Sequence, residues 1–180
     1  VEIIFCPSNH DFMSGFMLSH TIKAYFRKSK NITFDVSIAH RKYTAYGNNL
    51  LSFSHGDGAK MADTPLLMAT ERPEMWSNSV YRYIYLHHIH HKQTNKFIMS
   101  GKDFIGVTCE YLRSPSASDS WHAKSGYRSP KAVEAFVHSY DHGQVARLTH
   151  FIEPDAKVCK CGAHLYNNYT HGWICPRCDG

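Results

Sequence analysis

Three times along the chain, a short run of β-branched and aromatic residues breaks off into a cluster of imidazole, amide or carboxylate side chains. Glu2 to Cys6 runs into Pro7-Ser8-Asn9-His10-Asp11, Leu50 to Phe53 into Ser54-His55-Gly56-Asp57-Gly58, and Val80 to Leu86 into His87-His88-Ile89-His90-His91. Runs of this composition read as strands, and the Pro, Gly and Asn that follow mark the loops ending them. In layered α/β folds the ends of strands gather along one edge, so side chains remote in sequence can meet in one crevice. The pattern therefore points to an α/β fold whose chemistry sits on loops.

The segments between these runs fit that frame. From Met13 to Phe26, Phe16, Met17, Ile22 and Tyr25 or Phe26 recur at helical spacing and stop at the basic cluster Arg27-Lys28-Ser29-Lys30-Asn31, which predicts a helix. Ile32 to Ile38 alternates as a strand does, and Tyr43 to Tyr46 pairs with Leu50 to Phe53 across the turn Gly47-Asn48-Asn49. Thr64 to Trp76 reads as short helical pieces limited by Pro65 and Pro73, and Phe104 to Leu112 as one further strand. Ala132 to His138 and Gln144 to Ile152 form a hairpin around Tyr140-Asp141-His142-Gly143, and Ser114 to Ser129 is a surface loop. With 180 residues, 43% hydrophobic and 19% charged, the chain suits one main domain with a small satellite. No apolar run reaches the ~18 residues of a membrane span, and the opening Val-Glu-Ile-Ile-Phe-Cys-Pro lacks the basic and apolar regions of a signal peptide. A strand starting at the first residue, without an initiator Met, reads as the continuation of a longer chain. The net charge of +5 favours acidic partners only weakly.

Histidine is abundant, 14 in the chain, and clustered, which suggests metal coordination. The last 22 residues concentrate cysteine in two knuckles, Cys159-Lys160-Cys161-Gly162 and Cys175-Pro176-Arg177-Cys178. Zinc favours four soft, deprotonated ligands in a tetrahedron, and two Cys pairs supply them. A structural zinc held by Cys159, Cys161, Cys175 and Cys178 is the expectation, with His164 or His171 able to replace one sulfur; two disulfides are the alternative. The lone Cys6 and Cys109 read as buried thiols, so the compartment is expected to be reducing and cytoplasmic. Lys157, Lys160 and Arg177 beside Tyr169 and Trp173 suit backbone charge and base stacking on nucleic acid.

The three strand-end blocks together resemble the calcineurin-like metallophosphoesterases. That family carries, late in its sequence and in this order, Gly-Asn-His-Asp or Glu, a strand-terminal His usually followed by Gly, and Gly-His-x-His. Here Ser8-Asn9-His10-Asp11, His55-Gly56 and His87-His88-Ile89-His90 match them, with Ser8 and His87 standing where the family has glycine. The resemblance implies that residues 1–155 are the C-terminal portion of such a domain, part of a two-sheet sandwich flanked by helices, and that 156–180 form an appended zinc ribbon. It further implies that Asn9, His55 and His88 ligate one divalent ion and His90 a second, the pair being Mn, Fe or Zn. His10 would be the general acid, oriented by Asp11, and Asp57 would be second in line or part of the turn. The family's first two blocks, with their bridging aspartate, have no counterpart ahead of residue 8. The chain alone is accordingly expected to bind metal weakly and to turn over little. The implied substrate is a phosphoester, DNA or RNA included, as in the repair-nuclease branch that it is similar to. A phosphomonoesterase and a non-enzymatic zinc-ribbon binding module are the competing classes.

Overall fold

The computed structural model describes residues 1–88, 101–115, 131–152, 160–161, 166–168, 172–175 and 177–178. Strand β1 (Glu2–Ile4) leads through a loop into helix α1 (Phe12–Tyr25), and the chain returns as β2 (Thr33–Asp35), parallel to β1 with Ile3 opposite Phe34. Strands β3 (Arg41–Tyr46) and β4 (Asn49–Ser54) then form a hairpin. A 3-10 turn at Met61–Asp63 and the helices α2 (Thr64–Glu71) and α3 (Pro73–Ser77) carry the chain over to β5 (Tyr81–Leu86), which lies parallel to β4. Strands β6 (Gly101–Phe104) and β7 (Val107–Tyr111) complete a five-stranded sheet of order β3-β4-β5-β7-β6. Two further pairs follow, β8 (Ala132–Ser139) with β9 (Gly143–Phe151), and β10 (Tyr166–Asn168) with β11 (Gly172–Ile174).

The period-two pattern of a strand divides the central sheet into two faces. On one face Leu50, Ile84, Leu86, Val107 and Cys109 are buried against Met68 of α2, with Met61, Met75 and Trp76 packed around them. Truncating a side chain as enclosed as Met68 costs ~2–5 kcal/mol by transfer and cavity terms together. The opposite face presents Lys42 and Thr44 to the β1–β2 pair and Tyr83, Tyr85 and Glu110 toward the β8–β9 hairpin, with Phe53 stacked on Tyr85. The hairpin is pinned there by Arg147, whose guanidinium donates to Glu110 Oε2 and Glu134 Oε1, both at 2.6 Å. Gly143 (φ +75°) opens β9 where a Cβ would fall 2.6 Å from Tyr83 Oη, so only glycine admits this approach.

The expected helix and both hairpins are present, and the chain is mixed α/β. Phe104 to Leu112 is not one strand: Ile105-Gly106 is a turn, with Gly106 at φ +74°, and the segment is the end of β6 and the whole of β7. Asn49 belongs to β4, which shortens the expected three-residue turn to Gly47-Asn48. Most of the Ser114–Ser129 segment and the boundary near residue 155 lie outside the described residues. Among the described residues no helix is long and apolar enough to cross a membrane.

The hairpin interface carries a titratable group. His138 Nε2 lies 3.1 Å from Tyr85 Oη and its ring meets Tyr83 edgewise at 4.7 Å, while Gln144 Oε1 accepts from the same Tyr85 hydroxyl. Burial holds the His138 imidazole below its ordinary pKa. The folded state therefore binds fewer protons there than the unfolded chain, so the stabilisation is complete above about pH 6.5 and is lost as pH falls below it. Denaturant unfolding of wild type and His138→Gln between about pH 8 and 5 is expected to show the wild type losing more stability on acidification than the variant.

Candidate metal centre

The parallel register of β4 and β5 pairs Ser54 with Leu86, so His55 and His87 leave the sheet side by side. The backbone N–H groups of His87 and His88 both donate to the carbonyl of His55, at 2.9 and 2.5 Å, which locks the two loops together. Gly56 turns the chain away directly after His55 at φ +93°, and a Cβ there would lie 3.3 Å from that of Leu86. A side chain at this position would be strained both in its backbone and against its neighbour.

Asn9 arrives from the other layer. The β1–β2 pair is held on β3 by Lys42, buried to 2% exposure, whose ammonium donates to Asp35 Oδ1 at 2.8 Å, Ser37 O at 2.7 Å and Ser37 Oγ at 2.6 Å. Burial alone would raise the Asp35 pKa, but the hydrogen bonds from Lys42 and Ser37 outweigh it and hold the carboxyl below its usual range. Thr44 adds a hydrogen bond to Glu2 Oε2 at 3.1 Å.

With the layers so fixed, Asn9 Oδ1 lies 2.8 Å from His55 Nε2, and His88 Nδ1 lies 3.1 Å from the same nitrogen. One ring nitrogen carries either a single proton or a single lone pair, so it cannot make two good hydrogen bonds to two acceptors at once. Asn9 Oδ1 and His88 Nδ1, each about 3 Å from His55 Nε2, are close enough to that nitrogen for the three atoms to share one divalent ion. His10 stands beside this cluster, exposed, with its ring 6.2 Å from that of His88 and 6.4 Å from that of His55. Among the described residues no hydrogen bond joins Asp11 to His10. The Asp11 carboxylate lies over the first turn of α1, 3.5 Å from where a Gly15 Cβ would be. His90 is outside the described residues.

Two cavities adjoin the cluster. One of about 460 Å³ is lined by Glu2, Ile4, Cys6, Phe53, His55 and His87. Burial pushes the Cys6 thiol up to about 11, so it faces this cleft protonated, a poor metal ligand and nucleophile. The other, about 480 Å³, lies beyond Gly56 and includes Asp57, His40, Arg41 and Ser54. There Arg41 is engaged by Glu71, which also accepts from Tyr43 Oη at 2.8 Å. Asp57 thus lines a neighbouring polar cavity on an exposed turn.

The tail holds a second cluster. The sulfurs of Cys161, Cys175 and Cys178 lie within 4.8 Å of one another, with Cys161 Sγ and Cys175 Sγ 3.5 Å apart. A disulfide requires about 2.05 Å, whereas tetrahedral Zn–S bonds of ~2.3 Å put sulfurs about 3.8 Å apart. Three sulfurs so placed could bind a metal ion and are compatible with zinc. The β10–β11 pair brings the two knuckles together, with Trp173 in β11 opposite Asn167. Lys160 and Arg177 are exposed next to Cys161 and Cys178. Cys159, Lys157 and Tyr169 lie outside the described residues.

Comparison of the chain with protein-family models, with curated proteins and with solved structures finds no match. Any functional reading therefore rests on the residues and the geometry above. The Lys42 clamp was not anticipated from sequence, and its signal was slight: a lysine inside an alternating strand, at a position where the face turns out to be covered.

Two outcomes are expected. Lys42→Met removes one partner of a mostly buried pair; with Asp35 partly solvated, unfolding free energy in denaturant should fall by about 1–3 kcal/mol. Metal removal by a thiol-competent chelator should release one zinc per chain from the wild type and none from Cys175→Ser, and cobalt substitution should show thiolate-to-metal absorption only in the wild type.

Proposed function

We propose that this chain contributes one metal half-site and an acid imidazole to a metal-dependent phosphoester hydrolase, a phosphodiesterase or nuclease, and carries a zinc-stapled tail. The observation that carries the reading is the convergence of Asn9 Oδ1, His55 Nε2 and His88 Nδ1 from three separate strand-end loops. The layering of β1–β2 and β8–β9 over one face of the five-stranded sheet, with α2 on the other, supports it in so far as it brings the strand-end loops of separate layers together.

The donor set of one amide oxygen and two imidazole nitrogens suits Mn, Fe or Zn, and does not choose among them. A divalent ion held there by Asn9, His55 and His88 would supply Lewis-acid polarisation of a phosphoryl oxygen and activation of water. The protein's own part is to fix the donors through backbone and packing, and to hold His10 beside them. His10 is exposed and outside the donor triplet, in a position to pass a proton to a leaving alkoxide. Three neutral donors alone hold a dication weakly. The resemblance takes a bridging carboxylate from a segment ahead of Asn9 and a further ligand from His90, so low affinity and low turnover are expected of this chain by itself.

Mn²⁺ titration of the zinc-loaded chain checks this directly. Affinity should drop at least about tenfold in His55→Ala and in His88→Ala, as loss of one ligand requires, and stay near wild type in His10→Ala. With Mn²⁺ bound, His10→Ala should lower the chain's hydrolysis of a bis-aryl phosphodiester by ~10²-fold or more. Equal Mn²⁺ affinity in wild type, His55→Ala and His88→Ala would sink the proposal. Relative turnover of single-stranded DNA, the bis-aryl diester and an aryl monoester separates nuclease from phosphomonoesterase. The cysteine cluster with exposed Lys160 and Arg177 favours one second reading, a zinc-ribbon binding module. It predicts nucleic-acid or protein binding that survives His10→Ala and His55→Ala, with no turnover.

A further inference from the structure

The positive charge of the chain is unevenly placed. The whole protein sets 20 Lys and Arg against 15 Asp and Glu. Between Phe12 and Phe34, by contrast, the sequence has Lys23, Arg27, Lys28 and Lys30 and no carboxylate at all. All four cations are exposed, and among the described residues none of them forms an ion pair. Cations in the last turn of a helix complement its dipole, but that effect fades within the turn. Helix α1 ends at Tyr25, so Lys28 and Lys30 lie beyond its reach.

The aromatic content at the same place is equally specific. Tyr25 is 78% exposed, and its ring meets Phe26 edgewise at 4.9 Å. Phe26 in turn stacks on Phe34 of β2 at 6.4 Å, which anchors the pair to the fold and leaves Tyr25 outward. Cations without carboxylate partners around an outward aromatic ring on a rigid base are what a single-stranded polynucleotide requires, with phosphates neutralised and a base stacked, and Arg27 is oriented there by donating to the Ala24 carbonyl at 3.1 Å.

We propose that Lys23, Arg27, Lys28 and Lys30 with Tyr25 form a binding surface for single-stranded nucleic acid at the C-terminal end of α1. The inference rests on the phosphoester reading above and names its substrate class. Helix α1 starts directly after Asn9-His10-Asp11, and its 14 residues span about 21 Å at 1.5 Å each. A strand held at the basic end would reach the imidazole cluster by running the length of this helix. The helix thereby sets the distance between where a strand is gripped and where it is cut.

The experiment is fluorescence anisotropy of a labelled single-stranded oligodeoxynucleotide of about 20 nucleotides with the full, zinc-loaded chain over a series of salt concentrations. The variant Lys23→Ala/Arg27→Ala/Lys28→Ala/Lys30→Ala should bind at least about tenfold more weakly near 0.1 M salt, and its plot of log K against log salt should be shallower by about 3, from four phosphate contacts at ~0.7 each. Tyr25→Ala should lose about tenfold with an unchanged slope. Replacing the three lysines by arginine should keep both affinity and slope, and unchanged circular dichroism would show that all variants fold. An unaltered slope and affinity in the quadruple alanine variant overturns the proposal. So does loss of binding to phosphatidylserine vesicles with oligonucleotide binding intact, since exposed Met13, Met17 and Leu18 on the same helix would then assign the surface to an anionic membrane. Mn²⁺ affinity is read separately. Patch-dependent oligonucleotide binding in a chain whose imidazoles hold no metal would leave this surface standing and remove the hydrolase, and the converse pair of results would do the reverse.

Discussion

The parallel register of β4 against β5 is the constraint on which both the core and the site depend. It places Leu50, Ile84 and Leu86 on one face against Met68, and it brings His55 level with His87 at the sheet edge. A one-residue slip would exchange the faces, turning Tyr83 and Tyr85 into the helical core and Ile84 toward the hairpin. The same slip would part the His55 carbonyl from the N–H groups of His87 and His88. Because hydrophobic burial rewards only one register, the imidazoles are positioned by packing energy that has nothing to do with metal. A side-chain cluster built this way is preorganised by the fold itself.

The second layer is attached differently. Lys42 to Asp35 and Ser37, and Arg147 to Glu110 and Glu134, are polar contacts partly shielded from water, while Thr44 to Glu2 is exposed. Such pairs add little net stability over an apolar alternative, yet removing one partner is costly because the other is left buried. They are better understood as registration devices, each accepting one geometry. For β1–β2 the consequence is the placement of Asn9: three hydrogen bonds from one ammonium fix the strand pair whose following loop carries the amide oxygen to His55.

Local pattern made much of this readable in the sequence. The spacing of Phe16, Met17 and Ile22, the Gly47-Asn48 turn and the Gly143 turn are short-range signals, and helix α1 and both hairpins appear where they indicate. Asn9, His55 and His88, which follow three of the strand runs, lie together. Pairing between distant strands was not readable, since periodicity reports which face is buried and not which strand lies alongside; that β5 sits between β4 and β7 is a tertiary outcome. The division of Phe104 to Leu112 was missed because Ile105, 102% exposed at the turn, reads as a strand residue by its type alone. Lys42 escaped for the converse reason: a cation in a strand is taken as solvent-facing, and only the partner layer makes it a buried anchor.

The two donor clusters differ in chemistry in a way that bears on how they would be filled. Cys161, Cys175 and Cys178 offer soft sulfur beside the short β10–β11 pair, so an ion held there would couple its affinity to the folding of the tail. Asn9, His55 and His88 offer an amide oxygen and two imidazoles on a scaffold that folds by its own core, and these donors suit exchangeable ions as well as zinc. A limited supply of zinc would therefore fill the sulfurs first and leave the imidazoles open to whichever divalent ion is abundant.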